Sequence, residues 1–129
     1  MTTRSLLLLL LGTLSALAGC SHDTIEPTAG TLKVNLASPN NDDGAVLFTV
    51  SGGPVDSVGV SGHQVYSARL DANTLRVVII GDVGSGTLAT IYIADSRLAS
   101  NYSASVNQVA ARLSYAQRDP ASYSLSLSP

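Results

Sequence analysis

The sequence predicts an all-β protein whose main part is an antiparallel β-sandwich of about eight strands. Three observations support this prediction. Beyond residue 20 the chain holds one Glu, one Lys and no Met, so strong helix formers are scarce, whereas Val, Ser, Thr and Tyr are common. Apolar and polar residues alternate along several short segments. Turn-forming residues recur about every 8 to 12 positions, a spacing typical of sandwiches.

Residues 1–20 have the features of an export signal. Arg4 precedes an unbroken apolar run, Leu6–Leu11, and the segment ends in Leu17-Ala18-Gly19-Cys20. The apolar stretch has the length of a signal peptide and is short for a membrane span. An ordinary secretory signal that happens to contain a cysteine is one interpretation of this pattern.

The tetrad Leu17-Ala18-Gly19-Cys20 resembles the lipobox of bacterial lipoproteins, which is the second interpretation. This resemblance implies that a signal peptidase recognises Leu17, Ala18 and Gly19 and cleaves before Cys20, the only cysteine of the chain. It also implies that the thiol of Cys20 receives a diacylglycerol, and several acyl chains together give stable membrane anchoring. Because Ser21 rather than Asp follows the cysteine, the resemblance favours the outer membrane, facing the periplasm or the cell surface, over the inner membrane.

The predicted organisation is a signal peptide at 1–19, a lipidated cysteine and flexible tether at 20–30, and one β-sandwich domain at 31–129. Loss of residues 1–19 removes Arg4 and changes the formal net charge from −2 to −3. This weak negative charge predicts no nucleic-acid partner. The tether is polar and carries one large apolar residue, Ile25, too little to offset the entropy of ordering it.

The strands of the domain are predicted from local alternation. Segments that alternate, or that form short apolar runs, are Leu32–Leu36, Val46–Val50, Val65–Leu70, Leu75–Ile80, Leu88–Ala94 and Tyr123–Ser128. The nearly continuous apolar run Leu75–Ile80 predicts a strand buried on both faces. The last segment predicts a strand with one serine face and one apolar face. Turns are expected at residues 39–44, 52–54, 71–73, 81–86 and 118–120.

Residues 96–115 fit two descriptions. Leu98, Tyr102, Val106, Val109 and Leu113 have helical spacing, whereas 102–107 alternate as a strand does. We favour a strand from about Tyr102 to Val109, with a short helix as the alternative.

A second resemblance concerns the domain itself. The order of Gly44–Val50, Leu75–Ile80 and Ser85–Ile91, with Ser85-Gly86-Thr87-Leu88-Ala89 leading into a strand, resembles the cohesin-type jelly roll over roughly residues 31–110. The resemblance implies a sandwich of the jelly-roll or immunoglobulin-like kind.

Motifs for cofactors and metals are weak. Gly84–Ala89 matches a dinucleotide fingerprint, but strand-like residues follow it and no acidic residue lies about 20 positions on, so we expect a glycine-rich hairpin. Asp42 and Asp43 are weak candidates for a Ca²⁺ site. An EF-hand loop around them would need an acid at Pro39 and a Glu at Val50, so we interpret the segment as a turn.

Catalytic groups are scarce as well. His63 is the only histidine of the domain, and a hydrolase or metal-dependent enzyme would need it to meet at least two acidic groups. No Glu lies in the domain, and the Asp residues are expected in turns. We therefore expect no cofactor and no enzymatic activity.

The tyrosines are the candidate binding residues, since a tyrosine combines an apolar ring with a polar tip. They are Tyr66, Tyr92, Tyr102, Tyr115 and Tyr123. We expect a lipid-anchored, non-catalytic β-sandwich of the cell envelope that acts as a binding, adhesion or structural module. Its partner would be an envelope protein or a glycan. The alternatives are a small envelope hydrolase or metal-dependent enzyme, or a carbohydrate-binding module.

Overall fold

The computed structural model describes residue 19 and residues 23–129. Within them two antiparallel sheets pack face to face, as the sequence predicts. The strands are β1 (Gly30–Ala37), β2 (Asp43–Ser51), β3 (Ser57–Gly59), β4 (Gln64–Asp71), β5 (Thr74–Val83), β6 (Gly86–Ile93), β7 (Ser103–Ala111), β8 (Gln117–Arg118) and β9 (Ser124–Ser128). Two short 3₁₀ helices span Ser96–Asn101 and Pro120–Ser122. One sheet has the order β3-β6-β1-β9 and the other the order β4-β5-β2-β7-β8.

The core lies between the two sheets and follows the predicted alternation. Val46, Phe48 and Val50 of β2 are fully buried, as are Val77 and Ile79 of the neighbouring β5. From the opposite sheet the inward residues of β1 and β6 complete the core, namely Leu32, Val34, Leu36, Ala89, Ile91 and Ile93. β9 has the predicted serine face, and its two leucines pack against the core.

The prediction that Leu75–Ile80 is buried on both faces is wrong. Val77 and Ile79 face the core, but Val78 is only partly buried and Ile80 is 41% exposed. β5 is paired on both edges, by β4 and β2, yet a two-layer sandwich covers only one face of each sheet. The apolar residues of the second face therefore lie on the surface.

The predicted glycine-rich hairpin around residues 84–86 is also wrong. β5 ends at Val83 in the five-stranded sheet, and β6 begins at Gly86 in the four-stranded sheet. Two residues thus carry the chain from one layer to the other, because each strand finds its pairing partner in a different sheet. The segment cannot be a hairpin, since the strands that it joins do not pair.

The ambiguous segment 96–115 contains a short helix and a long strand in succession. Asp95 caps the 3₁₀ helix Ser96–Asn101, and β7 then runs from Ser103 to Ala111 beside β2. The favoured strand is confirmed within one or two residues of its predicted ends. Leu98, which suggested helical spacing, lies in the preceding 3₁₀ helix.

The four edge strands are poor templates for further pairing. β3 and β8 have three and two residues, and β9 has five. β4 is longer, but its pairing shifts register between Arg69 and Asp71, and Arg69 donates a hydrogen bond of 2.8 Å to the carbonyl of Val55 near the other sheet. Such short or irregular edges are how natural sheets avoid edge-to-edge aggregation.

Candidate interaction surface

The outer face of the five-stranded sheet carries adjacent apolar residues. Strand register places Gln64, Ile80, Ala45 and Ala110 in one row across β4, β5, β2 and β7, and Tyr66, Val78, Leu47 and Gln108 in the next. We call the six residues Ala45, Leu47, Tyr66, Val78, Ile80 and Ala110 the outer patch. Tyr66 is 60% exposed, so no part of the described chain covers this side of the patch.

The same face becomes polar toward its other end. The next rows hold Thr49 and Arg76, then Ser51 and Ser103. The hydroxyl of Thr49 donates to the amide oxygen of Asn107 at 2.6 Å, and the two serine hydroxyls lie 3.1 Å apart. The apolar character is therefore concentrated in two rows at one end of the sheet.

A groove of about 530 Å³ adjoins the outer patch. Small residues line much of it, and Ile80 and Tyr115 line it as well. The small residues are Gly44, Ala45, Gly81, Ala110 and Ala111. Arg112 and Asp82 also line this groove and form an ion pair with each other.

The turn between β7 and β8 presents two exposed apolar side chains beside this groove. Leu113 is 87% exposed and Tyr115 79% exposed. Tyr115 has a φ of 55°, and its N–H donates to the carbonyl of Ala111 at 3.1 Å, which holds the turn tightly against β7. A left-handed conformation is unusual for tyrosine.

Asp43 is not in an exposed turn, which corrects the expectation from its sequence. It is the first residue of β2 and is fully buried. Its carboxylate accepts hydrogen bonds from Ser38 Oγ at 2.6 Å, Tyr123 Oη at 2.9 Å and Arg118 Nη1 at 2.9 Å. Both of its oxygens thus already have donors within the protein.

Asp42, the other weak Ca²⁺ candidate, pairs with the same arginine at 2.7 Å. The hydrogen bond to Asp42 raises the pKa of Arg118 above its ordinary value, and the hydrogen bond with Tyr123 adds to this effect. Among residues 23–129 and residue 19, no group of three His, Cys, Asp or Glu side chains could hold a metal ion.

The five tyrosines fall into two groups. Tyr66, Tyr92 and Tyr115 are exposed, whereas Tyr102 and Tyr123 belong to the core. The hydroxyl of Tyr102 donates to the carbonyl of Pro54 at 2.6 Å, and burial raises the pKa of this phenol, with smaller contributions from Asp56 and Asp95. Tyr66 and Tyr115 border the apolar end of one sheet, and Tyr92 lies on the other sheet.

Tyr92 has polar surroundings. It shares the outer face of the four-stranded sheet with Lys33, Asn35, Thr87 and Thr90 of β1 and β6. The hydroxyl of Thr87 donates to Asn35 at 2.8 Å. This face therefore offers hydroxyl, amide and ammonium groups around one exposed aromatic ring.

Both ring nitrogens of His63 lie within hydrogen-bond distance of backbone carbonyl oxygens. Nδ1 lies 2.9 Å from the carbonyl oxygen of Ser61, and Nε2 lies 2.8 Å from that of Asp82. The ring also packs against Gly81, where an added Cβ would lie 2.6 Å from His63 Cδ2. Both ring nitrogens thus meet carbonyl oxygens rather than the acidic side chains that the enzymatic alternative requires.

The outer patch was missed in the sequence, although a signal for it exists. Leu47 lies on the opposite face of its strand from the core residues Val46 and Phe48. The run Leu75–Ile80 is likewise apolar on both faces. A chain of about 100 residues forms two layers rather than three. Strands that are apolar on both faces in so short a domain should therefore expose one apolar face.

Leu17, Ala18 and Cys20 lie outside the described residues, and Gly19 is exposed. No helix in the described part of the chain is long and apolar enough to cross a membrane. Comparisons with protein-family models, curated proteins and solved structures found no match. The lipoprotein and cohesin resemblances therefore stay predictions from the sequence.

Proposed function

We propose that this protein is a lipid-anchored, non-catalytic binding module of the bacterial cell envelope, which docks a protein partner on the outer patch. The observation that carries the binding role is the pair of apolar rows on an uncovered sheet face. Contiguous exposed apolar surface is costly in water and is a common mark of an interaction site. The anchoring role rests on Leu17-Ala18-Gly19-Cys20.

The position of the patch suits a domain held at its amino-terminal end. The tether enters the sandwich at Gly30, which pairs with Ile93, whereas Ala45 and Ile80 lie toward the end where β1 finishes at Ala37. The eight residues of β1 rise about 25 Å. An anchored chain would therefore present the patch on the part of the domain farther from the lipid.

The anchoring is tested with the full-length chain in a bacterial host. Mass spectrometry of the processed protein should find an amino terminus at Cys20 that carries acyl chains. Cys20→Ala should abolish both cleavage before residue 20 and membrane retention. A mature protein without acyl chains would overturn the anchoring.

The binding role is tested by cross-linking and capture of the full chain from membranes. Ile80→Ser and Tyr66→Ser should each lower the yield of a defined cross-linked envelope protein, because they remove apolar area from the patch. Tyr92→Ser, on the other sheet, is the matched control. Equal yields in all three variants would place the contact elsewhere.

Carbohydrate binding through the four-stranded sheet is a second candidate function. It is favoured by Tyr92, 45% exposed among hydroxyl and amide side chains, because sugars stack on aromatic rings and hydrogen-bond to such groups. Here the expected effects are reversed. Tyr92→Ser should abolish retention on envelope glycans, and Ile80→Ser should leave it unchanged.

A further inference from the structure

We infer that the partner docked on the outer patch is a second copy of this chain, related to the first by a two-fold axis. This inference rests on the proposed binding role of the patch and names its occupant. The contact would insert Leu113 of each copy into the groove beside the outer patch of the other. The groove and Leu113 are close in the fold, because Arg112 lines the groove and precedes Leu113.

The first argument is the complementarity of the two features. Leu113 is 87% exposed at the tip of the β7–β8 turn, so most of its apolar surface meets water. The groove next to it is apolar and lined largely by glycine and alanine, which leaves room for a side chain. A two-fold contact needs a projection and a matching recess on the same surface, since each copy supplies both.

The second argument is charge. Asp82 and Arg112 both line the groove and carry opposite charges. Two copies that face each other across a two-fold axis can bring Arg112 of each opposite Asp82 of the other. Because the two charges pair with each other within each chain, two copies can exchange these partners without leaving either charge unpaired.

The third argument is compatibility with anchoring. The strands run between the Gly30 end and the groove end of the sandwich. A two-fold axis roughly parallel to the strands would keep both Gly30 ends on the same side. Two copies could therefore pair while tethered to one membrane.

The expected contact is small. Its main elements are two leucines, two grooves and part of the outer patch, less than the roughly 800 Å² per partner of a standard interface. We therefore expect reversible pairing, promoted by confinement of both copies to one membrane.

The direct test uses the full-length chain in membranes with a photoreactive benzoylphenylalanine in place of Leu113. Irradiation should give an adduct of twice the chain mass, with the cross-link mapped to residues 43–51, 74–83 or 103–115 of the second copy. The matched control carries the probe in place of Leu98, which is 45% exposed in the 3₁₀ helix near the Gly30 end. Its yield of the double-mass adduct should be at least about tenfold lower.

Absence of the double-mass adduct, or equal yields at the two positions, would overturn the pairing. An adduct between position 113 and a different protein would also overturn it, while the proposed binding function would survive. A processed protein without acyl chains would overturn the anchoring alone, whereas the cross-link position decides whether the outer patch pairs with a second copy.

Charge reversal tests the mode of pairing. Asp82→Arg and Arg112→Asp should each reduce the photo-cross-link at least about tenfold, because like charges then face each other. Coexpression of the two variants with different tags should restore the cross-link between them. If the Asp82–Arg112 pair acts only within one chain, coexpression will restore nothing and the proposed two-fold contact is wrong.

Discussion

At the scale of single residues, Asp43 is the only charged side chain among the buried residues of the described chain. The groups that donate hydrogen bonds to its carboxylate come from different parts of the fold. Arg118 lies in β8 of the five-stranded sheet, and Tyr123 directly precedes β9 of the four-stranded sheet. The carboxylate thus ties the last segment of the chain to β2. A buried charge of this kind is tolerated because it is paired and fully hydrogen-bonded.

We therefore expect Arg118→Met to lower the free energy of unfolding by more than Tyr123→Phe does, because it leaves the carboxylate of Asp43 buried without its cation. Tyr123→Phe removes one hydrogen bond to the same charged group and should cost about 1.5–3 kcal/mol. Denaturant unfolding measures both. Arg76→Met, at an exposed position, is the control; a loss as large as that of Arg118→Met would contradict the explanation.

The carboxylate of Asp95 gives a prediction about titration. It caps the first 3₁₀ helix and accepts hydrogen bonds from the guanidinium and then the backbone N–H of Arg97, which lower its pKa below the ordinary 3.8. A depressed pKa adds stability above the unfolded value of 3.8, and this stability is lost as pH falls through the folded value.

NMR titration of the Asp95 carboxyl group should show this depressed pKa directly. Arg97→Gln should raise the pKa toward 3.8, since the guanidinium hydrogen bond is the largest cause of its depression. The side chain of Arg97 is 49% exposed, so high salt should reduce the difference. A pKa that is the same in both proteins would contradict the role given to Arg97.

At the scale of elements, strands with strict alternation were predictable from the sequence. Leu32, Val34 and Leu36 form a period-two apolar face, and only one orientation of that strand buries all three. The burial of the run Leu75–Ile80 was harder to predict, because the sequence of the run alone does not show that its second face stays uncovered. That outcome depends on how many layers the whole chain forms.

The partners of each strand were not predictable from local sequence. The two residues Gly84 and Ser85 look like a hairpin turn, yet they join strands in different sheets. The environment of Asp43 could not be predicted for the same reason, since two of its three hydrogen-bond donors, Arg118 and Tyr123, lie 75 and 80 residues further along the chain. Contacts between distant segments depend on topology, which periodicity does not encode.

The end of β2 gives a prediction about backbone geometry. Gly52 has a φ of 104°, and a Cβ there would lie 1.9 Å from the carbonyl oxygen of Asn101. Gly52→Ala should therefore cost more than the roughly 1–3 kcal/mol of an unfavourable dihedral alone. Gly62→Ala is the matched control, because Gly62 also has positive φ, at 73°, but meets nothing within 4 Å. Thermal unfolding that shows equal losses would contradict the steric explanation.

At the scale of the whole molecule, the two sheets divide their apolar residues unequally. The four-stranded sheet buries its apolar side and exposes a polar one around Tyr92, whereas the five-stranded sheet is apolar on both sides at one end. Burial between the sheets accounts for the apolar residues on the inner faces of the two sheets. It does not account for Leu47, Val78 and Ile80, whose side chains point away from the core.

Substitution of two neighbouring residues of β5 measures the contribution to folding and the contribution to binding separately. Ile79 is fully buried and Ile80 is 41% exposed, so the same substitution tests both faces of one strand. Ile79→Thr should lower the free energy of unfolding by about 2–4 kcal/mol, because it removes apolar packing and buries a hydroxyl. Ile80→Thr keeps a β-branched side chain and should cost no more than about 0.5–1 kcal/mol.

Denaturant unfolding of both variants, together with cross-linking in membranes, decides what the outer patch is for. We expect Ile80→Thr to weaken pairing while leaving stability nearly unchanged, and Ile79→Thr to lower stability. If Ile80→Thr costs as much stability as Ile79→Thr, the patch is needed for folding and its apolar character is no longer evidence for docking. Nearly normal stability with reduced pairing would mean that these residues serve association, because folding alone would not require them.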